Sequence, residues 1–355
     1  MQAARYHGQQ DVRVESIDED EVGPRGVLLD VDSCGICGTD LHEYTAGPIF
    51  VPDDEPHPVT RERMPITMGH EFSGTVAEVG PEVESVAVGD EVAVNPTIWC
   101  GDCRQCERGR YHLCVNGGFV GLSGGGGGFS ERVVVDENQA VRLGDISLEE
   151  GAVVEPLAVG LHAVRRSGLR AGDTVTVVGS GPIGLSVIQA ARAAGAGKIL
   201  VSEPRQSRRA RAADCGADVL VNPMERDFID AVADETDGAM ADCSFEVAGL
   251  EATLSAALQS LSVQGNCTIV SIWEGAVPVN PNDVVMSERT VTGTLAYQSG
   301  PRSDEDFGAV IEMLSRGEMS VEPLVTDRIG LDDIDSGFRS LLDDESDQVK
   351  ILVKP

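Results

Sequence analysis

The chain has 355 residues, 59 acidic against 27 basic side chains, a formal net charge of −32 and a pI near 4.4. A surface this negative excludes nucleic acid and anionic lipid as partners, because both require a basic face, and no apolar run reaches the roughly 18 residues of a membrane span. With 41% apolar and 24% charged residues the composition is globular, and the length suggests two domains, each with a core of its own.

The basic residues are lopsided. Only Lys198, Lys350 and Lys354 are lysines, and the other 24 are arginines. Together with 4% aromatics, this resembles the proteins of salt-accumulating halophiles. In molar salt the Debye length falls to about 3 Å, so a dense carboxylate surface repels itself only weakly. The start Met1-Gln2-Ala3-Ala4-Arg5 has no apolar signal core, which predicts a cytoplasmic protein.

Along the chain, short apolar or alternating runs at 27–31, 72–79 and 91–94 predict strands, punctuated at Gly23-Pro24, Gly80-Pro81 and Gly89-Asp90. They point to a β-rich lobe. Five successive glycines at 124–128 predict a loop that is either flexible or closely approached by other backbone. From about residue 150 the period changes. A helix is predicted over 149–167, with Ser147 as N-cap and Glu150 completing a capping box. Strands at 174–178, 198–202, 219–222, 243–246, 267–271 and 291–296 then alternate with helices at 183–194, 205–215, 228–234 and 250–261. That alternation implies a parallel, doubly wound sheet. A helix near 304–316 and a strand at 349–353 are assigned back to the first domain. The domains are therefore expected at 1–152 with 297–355, and at 153–296.

Between the first strand of the parallel sheet and its helix stands Gly179-Ser180-Gly181-Pro182-Ile183-Gly184, a G-x-G-x-x-G turn. Glu203 follows at the end of the next strand. In that context the pattern predicts a dinucleotide site. Gly179 permits the turn, Gly181 lets a pyrophosphate approach a helix N-terminus, and Gly184 lets helix and strand pack closely. Glu203 accepts from ribose hydroxyls and repels a 2′-phosphate, which favours NAD. Arg205 and Arg208 keep NADP open.

Cys100, Cys103, Cys106 and Cys114 form C-x2-C-x2-C-x7-C. Four thiolates close a tetrahedral shell and leave no open position, which predicts a structural zinc. The competing iron–sulfur reading lacks any sign of an electron partner. Cys37, His70 with Glu71, and Glu155 are dispersed, and spacing alone does not group them.

The chain resembles the zinc-dependent medium-chain alcohol and polyol dehydrogenases over nearly its whole length. The resemblance rests on CGICGTDLH at 34–42, GHEFSGTVAEVG at 69–80, the four-cysteine lobe, EPLAVGLHAVRR at 155–166 and VVGSGPIG at 177–184. It implies an α/β protein with a GroES-like, β-rich catalytic domain and a Rossmann domain, acting as an oxidoreductase with two zinc ions per chain and NAD. It also implies Cys37 rather than Cys34 as ligand, His70 as ligand, and Glu155 in the place where other branches carry Cys. Whether Glu71, Glu155 or both bind directly stays open. Thr39 matches the hydroxyl of the family's proton relay. His42 is either its next member or a solvent-exposed histidine, and Asp40 is a candidate to orient His70. Pro182, Ile183 and Arg208 are expected at the coenzyme with the glycines and Glu203. His7, His57, His112 and His162 receive no role, and Cys34, Cys215, Cys243 and Cys267 are expected as buried thiols.

The segments at 45–68, 118–128 and 293–297 resemble the butanediol dehydrogenase branch. That implies oxidation of a vicinal diol, 2,3-butanediol to acetoin, with another polyol, L-threonine, sorbitol or glucose as the alternative substrate. A homodimer or homotetramer is implied as well.

Overall fold

The computed structural model describes residues 1–273, 275–343 and 345–355. It divides into two units, one built from Met1–Glu155, Tyr297–Ser315 and Val325–Pro355, the other from Pro156–Ala296 and Arg316–Leu324.

The first unit is organised by the long strand Gly26–Gly35. Val27, Leu29 and Val31 alternate into a core shared with Phe72, Val76, Val133 and Val135. The strand pairs antiparallel with Glu71–Val79, Arg132–Asp136 and Lys350–Lys354. The registers Gly35↔Glu71 and Leu352↔Gly35 bring three distant strand ends together. The five glycines form a tightly packed loop: a Cβ on Gly127 would collide with the Met68 carbonyl, and one on Gly128 with Cys34 Sγ.

Past Gly35 the chain enters helix α1, Gly38–Ala46, which no apolar periodicity announces. Its buried residues are Asp40, Glu43 and Tyr44. Two of these are carboxylates held by backbone amides. Asp40 accepts from Cys37 N at 2.9 Å, and Glu43 accepts from Ile49 N at 2.9 Å and from the amides of Phe50 and Val51. The helix is thus shaped by hydrogen bonding to its flanks rather than by an apolar stripe.

Helix α2 spans Leu148–Ser167, and its predicted capping box is present: Glu150 N donates to Ser147 Oγ at 3.3 Å, and Ser147 N donates to Glu150 Oε2 at 2.8 Å. Among the described residues the second unit holds six strands: β1 (Thr174–Val178), β2 (Lys198–Ser202), β3 (Val219–Val221), β4 (Ala241–Glu246), β5 (Leu261–Ile269) and β6 (Thr290–Gly293). All pair parallel, in the order β3-β2-β1-β4-β5-β6. This is the predicted doubly wound sheet, with its order reversing beside β1. Val175, Val177, Ile199, Leu200 and Val201 are fully buried, as strands covered on both faces require.

Boundaries differ most from prediction in three places. The helix over 250–261 ends at Gln259, and Leu261 opens β5, because Ser260 alone separates helix from strand and no Gly or Pro marks the switch. The last parallel strand stops at Gly293, and Ala296 turns to a φ of +47°. The helix over 304–316 is split into a tight turn, Gly300–Glu305, and a helix, Phe307–Ser315. Arg316–Leu324 belongs to the second unit, where Ser320 exchanges two hydrogen bonds with Gln189. Among the described residues no helix is long and apolar enough to cross a membrane.

Candidate active site

In the first unit the donor atoms of Cys37, His70 and Glu71 lie within 4.8 Å of one another. Cys37 is the N-cap of α1, while His70 immediately precedes the strand Glu71–Val79. Pairing of Gly35 with Glu71 therefore sets the distance between two motifs that stand 33 residues apart. Cys34 is not among these donors; it is fully buried in the apolar core.

Asp40 holds both candidate ligands. One of its oxygens accepts from Cys37 N, and the other faces His70 Nδ1 at 3.4 Å. This leaves His70 Nε2 as the outward donor, the arrangement in which a carboxylate fixes the tautomer of a metal-binding imidazole. Among the described residues neither Asp40 Oδ1 nor His70 Nδ1 has a hydrogen-bond partner, so each is left to the other.

The electrostatics are those of a cation site. Burial disfavours the imidazolium of His70, yet Asp40 and Cys37 outweigh it and raise its pKa well above the ordinary value. Burial and then the Glu71 charge raise the Cys37 thiol. Burial, again followed by Glu71, pushes Glu155 up to about 7. These acids in one place, together with a soft thiol and a borderline imidazole, fit a divalent metal with mixed S, N and O ligation. Zinc suits this set.

Glu155 falls outside the group whose donors lie within 4.8 Å. Its Oε1 accepts a 2.7 Å hydrogen bond from the Tyr297 hydroxyl, and the Tyr297 ring packs edge-on against Phe307. Glu71 is gripped by the Lys350 ammonium, which bonds both carboxylate oxygens. Neither Tyr297 nor Lys350 was singled out as a site residue from sequence. Tyr297 carried a signal only as part of the Gly-Thr-Leu-Ala-Tyr run. Lys350 carried none beyond the rarity of lysine. Thr39 Oγ1 stands 3.7 Å from Cys37 Sγ, and His42, one turn further along α1, is exposed.

The four cysteines of the lobe also converge. Sγ separations are 3.6 Å for Cys103–Cys106, 3.9 Å for Cys103–Cys114 and 3.3 Å for Cys100–Cys114, and all four lie within 4.8 Å. A tetrahedral shell with metal–sulfur bonds of about 2.3 Å has edges of about 3.8 Å, so the cluster matches a closed zinc site. The amides of Cys106 and Val115 pull the Cys103 thiol down to about 6, whereas burial pushes Cys106 up. All nine cysteines are free.

In the second unit the G-x-G-x-x-G turn joins β1 to α3, Pro182–Ala193, with Gly181 as N-cap and Pro182 opening the helix ahead of Ile183. Gly179 has a φ of +105°. A Cβ on Gly184 would collide with the Gly179 carbonyl. A Cβ on Gly181 would meet only the Arg208 guanidinium, at 3.9 Å, so the phosphate face of this turn is open except for a cation. Glu203 does more than was expected of it. Its Oε2 accepts from Ser180 N at 2.9 Å, and its Oε1 accepts from Arg205 N at 2.9 Å. It thereby ties the glycine turn to the end of β2.

The chain matches two family models, an alcohol dehydrogenase GroES-like domain over residues 23–145 and a zinc-binding dehydrogenase domain over 182–316. It is 48% identical to an (R,R)-butanediol dehydrogenase of Bacillus subtilis, with 100% of each chain covered. It is 40% identical to one of Neisseria gonorrhoeae, with 100% and 99% covered. A crystal structure of 2R,3R-butanediol dehydrogenase from Bacillus subtilis superimposes with a TM-score of 0.92 at 47% identity, covering 100% of this chain and 99% of that one. A zinc-binding dehydrogenase from Sinorhizobium meliloti bound to NADP gives a TM-score of 0.89 at 31% identity, covering 100% of this chain and 99% of that one. Its sheet order, its glycine turn and these full-length likenesses make the chain a member of the zinc-binding, medium-chain alcohol dehydrogenase family.

Proposed function

We propose that this dehydrogenase oxidises 2,3-butanediol to acetoin with NAD, and runs the reverse reduction with NADH, using one zinc for catalysis and a second for structure. The observation that carries the reading is the convergence of half-buried Cys37 with buried His70 and Glu71. Cys37, His70 and a carboxylate from Glu71 or Glu155 would hold the catalytic ion, and Cys100, Cys103, Cys106 and Cys114 the structural one. When bound, zinc acidifies an alcohol hydroxyl and NAD accepts a hydride.

The remaining work falls to side chains. Asp40 keeps Cys37 and His70 in register. Thr39 Oγ1 takes the hydroxyl proton and passes it toward His42, which exchanges it with solvent from the exposed face of α1. Tyr297 engages Glu155 Oε1, so Glu155 Oε2 accepts from the second hydroxyl of a vicinal diol. That contact orients the carbinol for transfer. 2-Butanol lacks this hydroxyl and leaves a buried carboxylate oxygen unpaired. Its kcat/KM is expected to be about 10–100-fold below that of (R,R)-2,3-butanediol, the equivalent of one buried hydrogen bond at about 1–3 kcal/mol. Initial rates in molar KCl over both alcohols, sorbitol, L-threonine and glucose provide the test. A higher kcat/KM for any of the last three than for butanediol overturns the substrate assignment.

The preference for NAD over NADP is supported by the Glu203 carboxylate at the end of β2, whose charge would repel a 2′-phosphate. Glu203→Ala is expected to weaken NADH binding by about 10–100-fold, the range for hydrogen bonds to a charged group. NADPH should lose less, because release of the glycine turn is offset by removal of a like charge. Fluorescence titration of both coenzymes measures this, and an unchanged NADH/NADPH ratio removes Glu203 from coenzyme selection.

The chain is assigned to the cytoplasm of a halophile, as a homodimer or homotetramer. Support for self-association comes from the edge strand β6 and its surroundings, where Val291, Leu295 and Met286 are exposed. Below about 0.5 M salt the Debye length exceeds about 4 Å and carboxylate repulsion returns, so unfolding and loss of activity are expected there. Circular dichroism melts from 0.05 to 3 M KCl check this, and full stability at 50 mM rules out the halophilic reading.

A further inference from the structure

Two of the three lysines, Lys198 and Lys354, have side chains 37% and 44% exposed, whereas the Lys350 side chain is 1% exposed. Pairing of Leu352 with Gly35 carries Lys350 past the end of the central strand to Ile36, the residue before Cys37. There its Nζ donates to the Ile36 carbonyl at 3.0 Å and to the two Glu71 oxygens at 2.7 and 2.5 Å. Gly35 makes the room: a Cβ there would collide with Glu71 Oε2 and crowd Lys350 Cδ.

The same Glu71 carboxylate reaches the donor group of Cys37 and His70, all within 4.8 Å. One carboxylate is therefore placed between two cations, the ammonium and the metal position. A buried ion pair is a poor source of stability, because desolvation consumes most of its attraction. Its placement against a ligand points instead to the metal.

We propose that Lys350 is a positioning residue that shares Glu71 with the catalytic metal and thereby makes Glu71 a weak, exchangeable ligand. This rests on reading Cys37 and His70 as the catalytic metal site. By competing for both oxygens, the ammonium keeps the carboxylate from closing the position that substrate must occupy. Without it, Glu71 turns to the metal as the cation at hand for its charge.

The test is the rate at which a chelator strips zinc from the folded protein, followed with a colorimetric zinc indicator. Cys37→Ser identifies the phase that belongs to this site. Lys350→Met is expected to slow that phase and lower kcat, each by about 10–100-fold, the usual reach of groups behind a metal ligand. A merely structural role predicts the opposite, since a loosened site releases its ion faster. Lys350→Arg grips the carboxylate through two parallel hydrogen bonds and is expected to speed the same phase. It carries the test alone if Lys350→Met does not fold. The proposal is overturned by a stripping rate that is unchanged or faster in Lys350→Met, or unchanged or slower in Lys350→Arg. If Cys37→Ser retains all the zinc of the parent protein, the metal-site reading itself fails and the proposal falls with it.

Discussion

Cys103→Ser is expected to unfold the four-cysteine lobe and remove one zinc per chain, at a cost of about 4–5 kcal/mol or more, the range typical of a lost metal site. The reason is the lobe's lack of any other core. Between residues 97 and 118 the buried apolar side chains are Ile98 and Cys106, while Leu113 and Val115 are exposed. One edge-on pair, Trp99 with Tyr111 at 5.9 Å, adds a little. The thiolates themselves repel one another when ionised at separations of 3.3–3.9 Å, so the cluster opposes folding until a cation fills it. The melting transition should fall by roughly 8–20 °C. Calorimetry paired with zinc analysis measures both effects. Full metal content and an unshifted transition in Cys103→Ser would mean that the cluster is not a structural zinc site.

Cys37→Ser is expected to behave in the opposite way, losing turnover by more than about 100-fold while keeping the fold. A serine hydroxyl stays neutral at pH 7 and supplies no anionic ligand, so the catalytic ion is lost or held poorly. The fold survives because residue 37 is the N-cap of α1, a position that serine fills at least as well as cysteine. The bond from its amide to the Asp40 carboxylate uses no side-chain atom of residue 37 and remains. Folding is checked by circular dichroism and by NADH titration. Activity within tenfold of the parent protein, with zinc retained, would remove Cys37 from the metal. Set side by side, the two substitutions separate a metal that holds structure from one that does chemistry.

The parts legible in the sequence are those whose signal is local. The glycine turn and its flanking β1 and α3 follow one another within 20 residues, and the alternation of strands and helices follows from apolar periodicity alone. The capping box at Ser147 and Glu150 needs only four residues. By contrast, α1 has no apolar stripe because buried carboxylates organise it, and the switch from helix to β5 takes place across the single residue Ser260, with no Gly or Pro to mark it.

By itself, then, the sequence determined the doubly wound sheet, the dinucleotide turn, the cysteine cluster and, through family resemblance, the grouping of Cys37 with His70. Only the tertiary structure decided how the carboxylates divide. Glu71 and Glu155 are alike in a linear reading. One is set by strand register against Lys350, 279 residues away, and the other is held by Tyr297 across 142 residues. Partners at such separations leave no periodicity or spacing to read: Glu71 and Lys350 are brought together by backbone pairing of Gly35 with Glu71 and with Leu352, and that pairing exists only in the folded chain.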